Sequence, residues 1–386
     1  MMKIGIVGAG LQGEGCAKIL VHDSEISEIY LGDIDRKRLN FCEKSIDSNK
    51  LHTKLIDANN HDHLVDFLSN CDVCIDMLLP EYCSNVMKAA LDVGINYVNT
   101  AFDTPFWGNI VNGEELYLDK EFKEKGLTAL LGCGDSPGLV NVFVKKYCDK
   151  LDTVDSVIIK GIYSNSEYNP LDVWNPGWSL KQAYIDFITP PHIYRNNEFI
   201  EMKPFSEVEK IEYNGYGMHD IALHSHEEAY SLPRTIKNLK NCEFKYEIDK
   251  YAATLYTFGF NKDKIVEVDN NEINASEFLF KLIKEQDSKK VNVDSNDDYY
   301  SILEIAGTKD KQNKTFKVLL KPLYFNREEV LKTLGTLKID VALPCVVGVK
   351  CLSSAKKGVI FAEELDPEKF ISILNNYVSY EEIVIE

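Results

Sequence analysis

Ile4-Gly5-Ile6-Val7-Gly8-Ala9-Gly10-Leu11-Gln12-Gly13 decides how this chain folds. A short β-branched run leads into three glycines spaced G-x-G-x-x-G, and a helical pattern follows through Leu20. The glycines serve a tight turn, a close backbone approach to a pyrophosphate and close helix packing, with the helix N-terminus facing the anion. Gly-rich turns are common, so the context carries the reading. The motif follows a strand, and Asp33 ends the second strand 20 residues after Gly13. A carboxylate there accepts hydrogen bonds from ribose hydroxyls and repels a 2′-phosphate, which favours NAD. Arg36, just beyond the acid, has the reach to meet a 2′-phosphate and keeps NADP open. The cofactor-binding candidates are Gly8, Gly10, Leu11, Gln12, Gly13, Asp33 and Arg36. Asp57 and Ala58 after the third strand, and Leu79 and Pro80 after the fourth, stand where chain ends border the adenosine and the nicotinamide ribose. Ordinary strand-end turns account for those four equally well.

Outward from this motif, Lys3–Val7, Glu28–Leu31, Asp72–Met77 and Tyr97–Asn99 read as strands separated by amphipathic helical stretches. Such alternation predicts a doubly wound parallel sheet of the Rossmann type. Thr128–Leu131 is a further strand, followed by the turn Gly132-Cys133-Gly134-Asp135-Ser136-Pro137-Gly138 and the helical pattern Leu139–Cys148. From about Asp152 the texture changes. Val154–Tyr163, Thr254–Phe260, Tyr299–Gly307 and Thr315–Leu320 alternate in the manner of strands, and helical patterns are few except near Ser276–Glu285. A mixed or antiparallel sheet follows from this, giving an inserted α+β domain beside the α/β one. Asp287–Asp298 reads as an exposed polar loop.

A chain of 386 residues with 45% hydrophobic residues has core enough for two domains. The excess of 61 Asp+Glu over 43 Lys+Arg, a net charge of −18, repels nucleic acid and anionic membranes alike. Met1-Met2-Lys3 runs into a strand rather than an apolar leader, and ten scattered cysteines fit a reducing compartment, so the expectation is a cytoplasmic protein.

Further stretches bring in a family. Phe122–Gly134, Pro137-Gly138-Leu139-Val140-Asn141, Trp178-Ser179, His226-Glu227-Glu228 leading to Leu232-Pro233-Arg234, and Gly358–Leu365 before Pro367 resemble the saccharopine dehydrogenase family over nearly the whole chain. The resemblance implies that the C-terminal residues return to the Rossmann domain. On that reading 1–148 and 345–386 form the dinucleotide domain, and 149–344 an inserted substrate and dimerisation domain of a homodimer. It also implies hydride transfer at a carbon bearing an amine, with an amino acid or secondary amine as substrate. Primary-amine oxidation and a non-catalytic dinucleotide sensor are the alternatives. Ser136 stands where many members of that family carry an acid.

Oxidising a C–N bond needs a base to keep the amine neutral and a donor carbon held against the nicotinamide. Asp103 and Asp135 each follow a parallel strand, at whose carboxyl ends such sites lie. Both are acid/base candidates, although an Asp at that place also serves to cap the following helix. Asn141, one turn into that helix, is a substrate-side candidate, as is Trp178; Trp107 and Trp174 are further candidates for the pocket wall. Arg234 is the expected anchor for a substrate carboxylate, with His226 beside it as proton shuttle. His219, His224, His226, Glu227 and Glu228 are the densest His/acid cluster, but no matching ligand pair accompanies them and the reaction needs no metal, so none is expected.

Overall fold

The computed structural model describes residues 1–102, 106–163, 180–213, 217–260, 264–287 and 298–385. Six strands of the first domain follow in chain order: β1 (Met2–Val7), β2 (Ile26–Asp33), β3 (Leu51–Leu55), β4 (Val73–Asp76), β5 (Asn96–Asn99) and β6 (Thr128–Leu131). They pair in parallel in the order β6-β5-β4-β1-β2-β3. The order reverses between β1 and β4, and a crevice opens there outside the carboxyl ends. β4, β5 and β6 are buried along almost their whole length, as strands covered by helices on both faces must be.

A seventh strand comes from the far end of the chain. Gly358–Phe361 pairs in parallel with β6, from Gly358 opposite Thr128 to Phe361 opposite Leu131. The helix Ala342–Cys351 precedes it, buried almost all round, and lies on the helix Leu11–Val21. Small residues permit that contact: a Cβ on Gly15 would fall 2.2 Å from the Lys338 carbonyl oxygen, and Cys16 Sγ lies 3.5 Å from that of Ala342. Each buried Leu or Val in this layer is worth about 1.5–3 kcal/mol. The last strand, Ile383–Ile385, goes elsewhere and pairs antiparallel with Gln312–Leu320 in the second sheet.

That second sheet is mixed. The strand Thr153–Tyr163 lies at its centre, parallel to Asn241–Glu247 on one side and antiparallel to Tyr299–Lys309 on the other. The sequence pattern understates the helices around it: Leu180–Ile188, Glu228–Thr235, Lys250–Thr257 and Arg327–Leu334 join Ala275–Asp287. Thr254–Phe260, expected as a strand, falls largely in the helix Lys250–Thr257. Asp249 caps it by accepting from the Ala252 N–H at 2.8 Å, and Tyr251, Ala252, Leu255 and Tyr256 make a helical stripe against Leu180–Ile188. The local alternation was overridden by that stripe. Among the described residues no helix is long and apolar enough to cross a membrane.

Candidate active site

At the cofactor end, Gly8 has φ +102°, and a Cβ there would stand 3.0 Å from the Met77 carbonyl oxygen. A Cβ on Gly13 would fall 1.9 Å from the Gly8 carbonyl oxygen, so only glycine lets the helix start against the turn. The space in front of Gly10 is open, Leu11 is exposed beside it, and the Leu11–Val21 helix has no side-chain cap. Gln12 Oε1 is buried without a hydrogen-bond partner among the described residues. An open backbone cradle, uncapped N–H groups and an unsatisfied amide fit a pyrophosphate and its ribose. Asp33 lies at the rim of that cradle: Oδ2 accepts from the Ala9 N–H at 2.7 Å and Oδ1 from the Asp35 N–H at 2.8 Å. Met77–Pro80 crosses the crevice against Gly8, and Leu79 precedes the short helical turn Pro80–Tyr82. Asp57 Oδ1 accepts from the Asn59 N–H, and the Ala58 carbonyl accepts from Asn85.

Arg36 is exposed on the first turn of the helix Arg36–Ile46. The arginine beside the cradle is Arg38, whose Nε donates to the Ala9 carbonyl at 2.6 Å. The two lie two residues apart, about half a turn round the helix axis, and Asp35 caps that helix. The sequence reading chose the nearer arginine in sequence, whereas the helical rise brings the one two positions later onto the loop.

A buried polar chain runs beneath the crevice. Asp76 Oδ1 accepts from the Leu78 N–H at 3.0 Å and Oδ2 from the Tyr97 hydroxyl at 2.7 Å. Asn99 Nδ2 donates to the Tyr97 oxygen at 3.2 Å, and its Oδ1 accepts from the Gly132 N–H at 2.8 Å. The chain thus links the cofactor-side loop after β4 to the loop that carries Asp135. Burial pushes the Asp76 carboxyl up to about 6.

On the substrate side, the Asp135 carboxylate projects from the loop after β6 and has no hydrogen-bond partner among the described residues. It does not cap the next helix. That task falls to Asn141, whose Oδ1 accepts from the Gly138 N–H at 2.9 Å. Glu228, at the start of the helix Glu228–Thr235, accepts from the Ser136 hydroxyl with one oxygen and pairs with His226 Nδ1 through the other. It therefore brings a carboxylate to the place where Ser136 lacks one. Burial and the Glu228 charge push Asp135 up to about 7, against the pull of His226. Burial also lifts Glu227 to about 8. For His226 burial acts downward, but the charge and hydrogen bond of Glu228 outweigh it and raise the imidazole to about 9. His224, buried beside it, is held well below the ordinary histidine value. Burial and Asp135 push Asp340 well above the carboxylate range.

The wall of this pocket is aromatic. Tyr163, Tyr246 and Tyr299 pack on one face of the second sheet, Tyr246 stacked on Tyr299 and Tyr163 edge-on to Tyr246, with the Tyr163 and Tyr246 hydroxyls 2.6 Å apart. Gly161 makes room for them: a Cβ there would lie 2.5 Å from the Tyr299 oxygen. His226 stacks on Phe244 with ring centroids 4.1 Å apart. None of the tyrosines was singled out from sequence. The alternation that puts Gly161 and Tyr163 on one face was the available signal.

The remaining sequence candidates divide. Asn141 is buried and structural: Nδ2 donates to Glu363 Oε2 at 2.9 Å and to Ser231 at 3.3 Å. Arg234 is exposed and donates to the Glu114 carbonyl at 3.0 Å, in a groove with Lys123, Lys356 and Lys357 beside the edge strand. It is not among the side chains gathered at Asp135, because the helix whose first residue is Glu228 carries it to the opposite end. Trp107 stacks on Tyr230 at 4.9 Å within the core. Asp103, Trp174 and Trp178 lie outside the described residues, as does most of Asp287–Asp298. His226, Glu227 and Glu228 offer ligand atoms within 4.8 Å of one another, in the arrangement of a hydrogen-bonded ion pair.

A dinucleotide turn at the switch point of a parallel sheet, beside a second mixed-sheet domain, is the architecture of an NAD(P)-dependent oxidoreductase. Residues 4–130 match the saccharopine dehydrogenase NADP binding domain, and 134–379 match the saccharopine dehydrogenase C-terminal domain. The chain belongs to the saccharopine dehydrogenase family. It is 26% identical over 393 residues to a carboxyaminopropylagmatine dehydrogenase from Synechocystis, covering 97% of this chain and 95% of that one. A carboxynorspermidine synthase from Vibrio alginolyticus is 24% identical over 267 residues, covering 63% of this chain and 62% of its own. The fold is that of the L-Glu-forming saccharopine dehydrogenase of Saccharomyces cerevisiae, with a TM-score of 0.68 at 14% identity over 100% of both chains. It is also that of the homospermidine synthase of Legionella pneumophila, solved with NAD, with a TM-score of 0.63 at 15% identity over 100% of this chain and 91% of that one.

Proposed function

We propose that this chain interconverts a secondary amine and its imine, and that the amine belongs to a cationic aliphatic di- or polyamine bearing a carboxyalkyl group. The observation that carries this is the composition of the pocket. Asp135, Glu227, Glu228 and Asp340 meet there, walled by Tyr163, Tyr246 and Tyr299, and Arg234 points elsewhere. Carboxyl groups and tyrosine faces attract the ammonium groups of such an amine; the carboxyalkyl group is proposed from the names of the relatives. The names of the sequence relatives, carboxyaminopropylagmatine dehydrogenase and carboxynorspermidine synthase, agree with such a substrate.

The cradle at Gly8, Gly10 and Gly13, with Asp33 at its rim, holds the dinucleotide. When bound, the dinucleotide would supply hydride acceptance at the carbon beside nitrogen, C–N becoming C=N with release of one proton. Asp135, poised near neutrality, takes the proton from the substrate ammonium so that the nitrogen lone pair is available. The His226–Glu228 pair keeps a fixed charge beside it, and the tyrosine wall excludes bulk water. In the reductive direction Asp135 returns the proton to nitrogen.

The test is a panel of diamines, polyamines, N-carboxyalkyl amines and ordinary α-amino acids, each followed by nicotinamide absorbance with NAD and NADP. Turnover of carboxyalkyl polyamines is expected. Turnover of neutral or plain amino-acid substrates with none of the polyamine derivatives would refute the reading.

We also propose a cytoplasmic homodimer. Ten free, buried cysteines suit a reducing compartment. The hairpin Ile265–Asn274 and the helix Ala275–Asp287 expose Ile265, Val266, Val268 and Phe278, a patch that a second copy would cover. Phe278→Asp should convert the dimer to monomer in light scattering; an unchanged mass would rule this face out.

A further inference from the structure

The Gly-rich turn has a charge hub beneath it. Glu14, only 1% exposed, lies one residue past Gly13 and meets three cations: Lys18 at 2.7 Å, Arg38 at 2.5 Å and Lys338 at 3.3 Å. Burial acts to raise its carboxyl, but the hydrogen bonds of Lys18 and Arg38 outweigh it and hold Glu14 at about 2, so it stays charged. Arg38 is gripped on several sides. Its Nε donates to the Ala9 carbonyl, its Nη2 to the Gly10 carbonyl at 3.2 Å and to Glu14 Oε2, and its guanidinium lies over the Phe41 ring.

Asp33 and Arg38 therefore hold opposite sides of one residue, the carboxylate on the Ala9 N–H and the guanidinium on the Ala9 carbonyl. That residue lies in the turn that approaches the dinucleotide, and Asp33 marks where the adenosine ribose sits. Arg38 is thus the arginine placed to meet a 2′-phosphate, and its charge is already taken by a buried carboxylate. Lys338 competes for the same Glu14 oxygen as Arg38.

We propose that Glu14 sets the choice between NAD and NADP by neutralising Arg38 and holding it on the loop carbonyls. Glu14 touches no cofactor atom itself; it is a positioning residue acting through Arg38. The inference rests on the dinucleotide turn alone and is independent of the substrate proposed above.

The experiment titrates NADH and NADPH into the substrate-free protein by nicotinamide fluorescence. In Glu14→Gln, which keeps the size and one acceptor oxygen but removes the charge, the ratio of NADPH to NADH affinity should rise by about fivefold or more as Arg38 is left unbalanced. Adding Arg38→Leu should abolish the rise. Lys338→Leu leaves Glu14 more fully to Arg38 and removes a positive charge, so the ratio should fall by about two- to threefold. A ratio unmoved in Glu14→Gln that still binds NADH overturns the proposal, as does an equal rise in the double variant. Should Glu14→Gln fail to fold, Lys338→Leu decides: an unchanged or increased ratio overturns it.

Discussion

Asn141 and Glu363 stand 222 positions apart in the chain, yet Asn141 Nδ2 donates to Glu363 Oε2 at 2.9 Å in the buried interior. The other Glu363 oxygen accepts from the Thr235 hydroxyl at 3.0 Å, and Asn141 Oδ1 holds the Gly138 N–H. One amide and one carboxyl thus pin together the turn bearing Asp135, the helix bearing Glu228 and the end of the edge strand. Asn141→Ala should cost about 1–3 kcal/mol, the penalty of leaving a buried polar partner unsatisfied, read as a lower denaturation midpoint.

The same pair makes stability depend on pH. Burial raises Glu363 to about 7, so the folded state disfavours its ionised form. Its contribution is favourable below the ordinary glutamate value and is lost as pH rises toward about 7. Glu363→Gln should therefore raise the thermal midpoint at pH 8 and leave it nearly unchanged at pH 5. Equal shifts at both pH values would mean that Glu363 is not titrating in the fold.

On the function proposed above, Asp135 sets the reaction's pH profile. In the oxidative direction the base form is needed, so kcat/KM should rise as pH passes about 7. It should fall again above about 9 as His226 loses its proton. Asp135→Asn should remove the acid limb and lower kcat by about a hundredfold or more while NADH still binds, which steady-state kinetics and fluorescence titration will separate.

Asp33→Ala should weaken NADH by about 1.5–3 kcal/mol, the scale of hydrogen bonds to a charged group, and NADPH by less. Calorimetric titration of both dinucleotides provides the comparison; equal losses would remove Asp33 as the ribose ligand.

Tyr97→Phe takes a donor from buried Asp76 and should make its ionised form costlier still. Because the Asp76 carboxyl already lies raised, at about 6, the variant's deficit in thermal midpoint should widen as pH increases from 5 to 8. A deficit that is flat with pH would show that the hydroxyl matters only for packing.

The legible parts of this molecule were those with local periodicity or local steric demand. The strand-turn-helix at Gly8 to Gly13 is readable because Gly8 and Gly13 each answer to a neighbour within the same short stretch or its partner loop, while Gly10 leaves the space in front of it open. The place of Asp135 just after a parallel strand was readable. Arg234 was misplaced because proximity in sequence to Glu228 says nothing about direction along a helix; two turns separate a cleft from a surface. Arg38 was missed in favour of Arg36 for the same reason. The tyrosine wall and the Asn141–Glu363 pair arise only when strands and segments from distant parts of the chain meet. The strand read at Thr254–Phe260 failed because tertiary packing of Tyr251, Leu255 and Tyr256 outweighs local alternation.

The edge strand Gly358–Phe361 imposes an order on biosynthesis. Until it emerges from the ribosome, β6 presents an unpaired edge of Thr128, Ala129, Leu130 and Leu131, and Gly132 follows it directly. Some 230 residues are made between the two strands, long enough at ordinary translation rates for that edge to wait many seconds. The nascent cofactor domain is thus an unfinished sheet during most of its synthesis, exposed to strand addition by other chains. A prematurely terminated product would keep that edge for good, and quality-control proteases would meet it as an aggregation-prone fragment rather than as a smaller working protein.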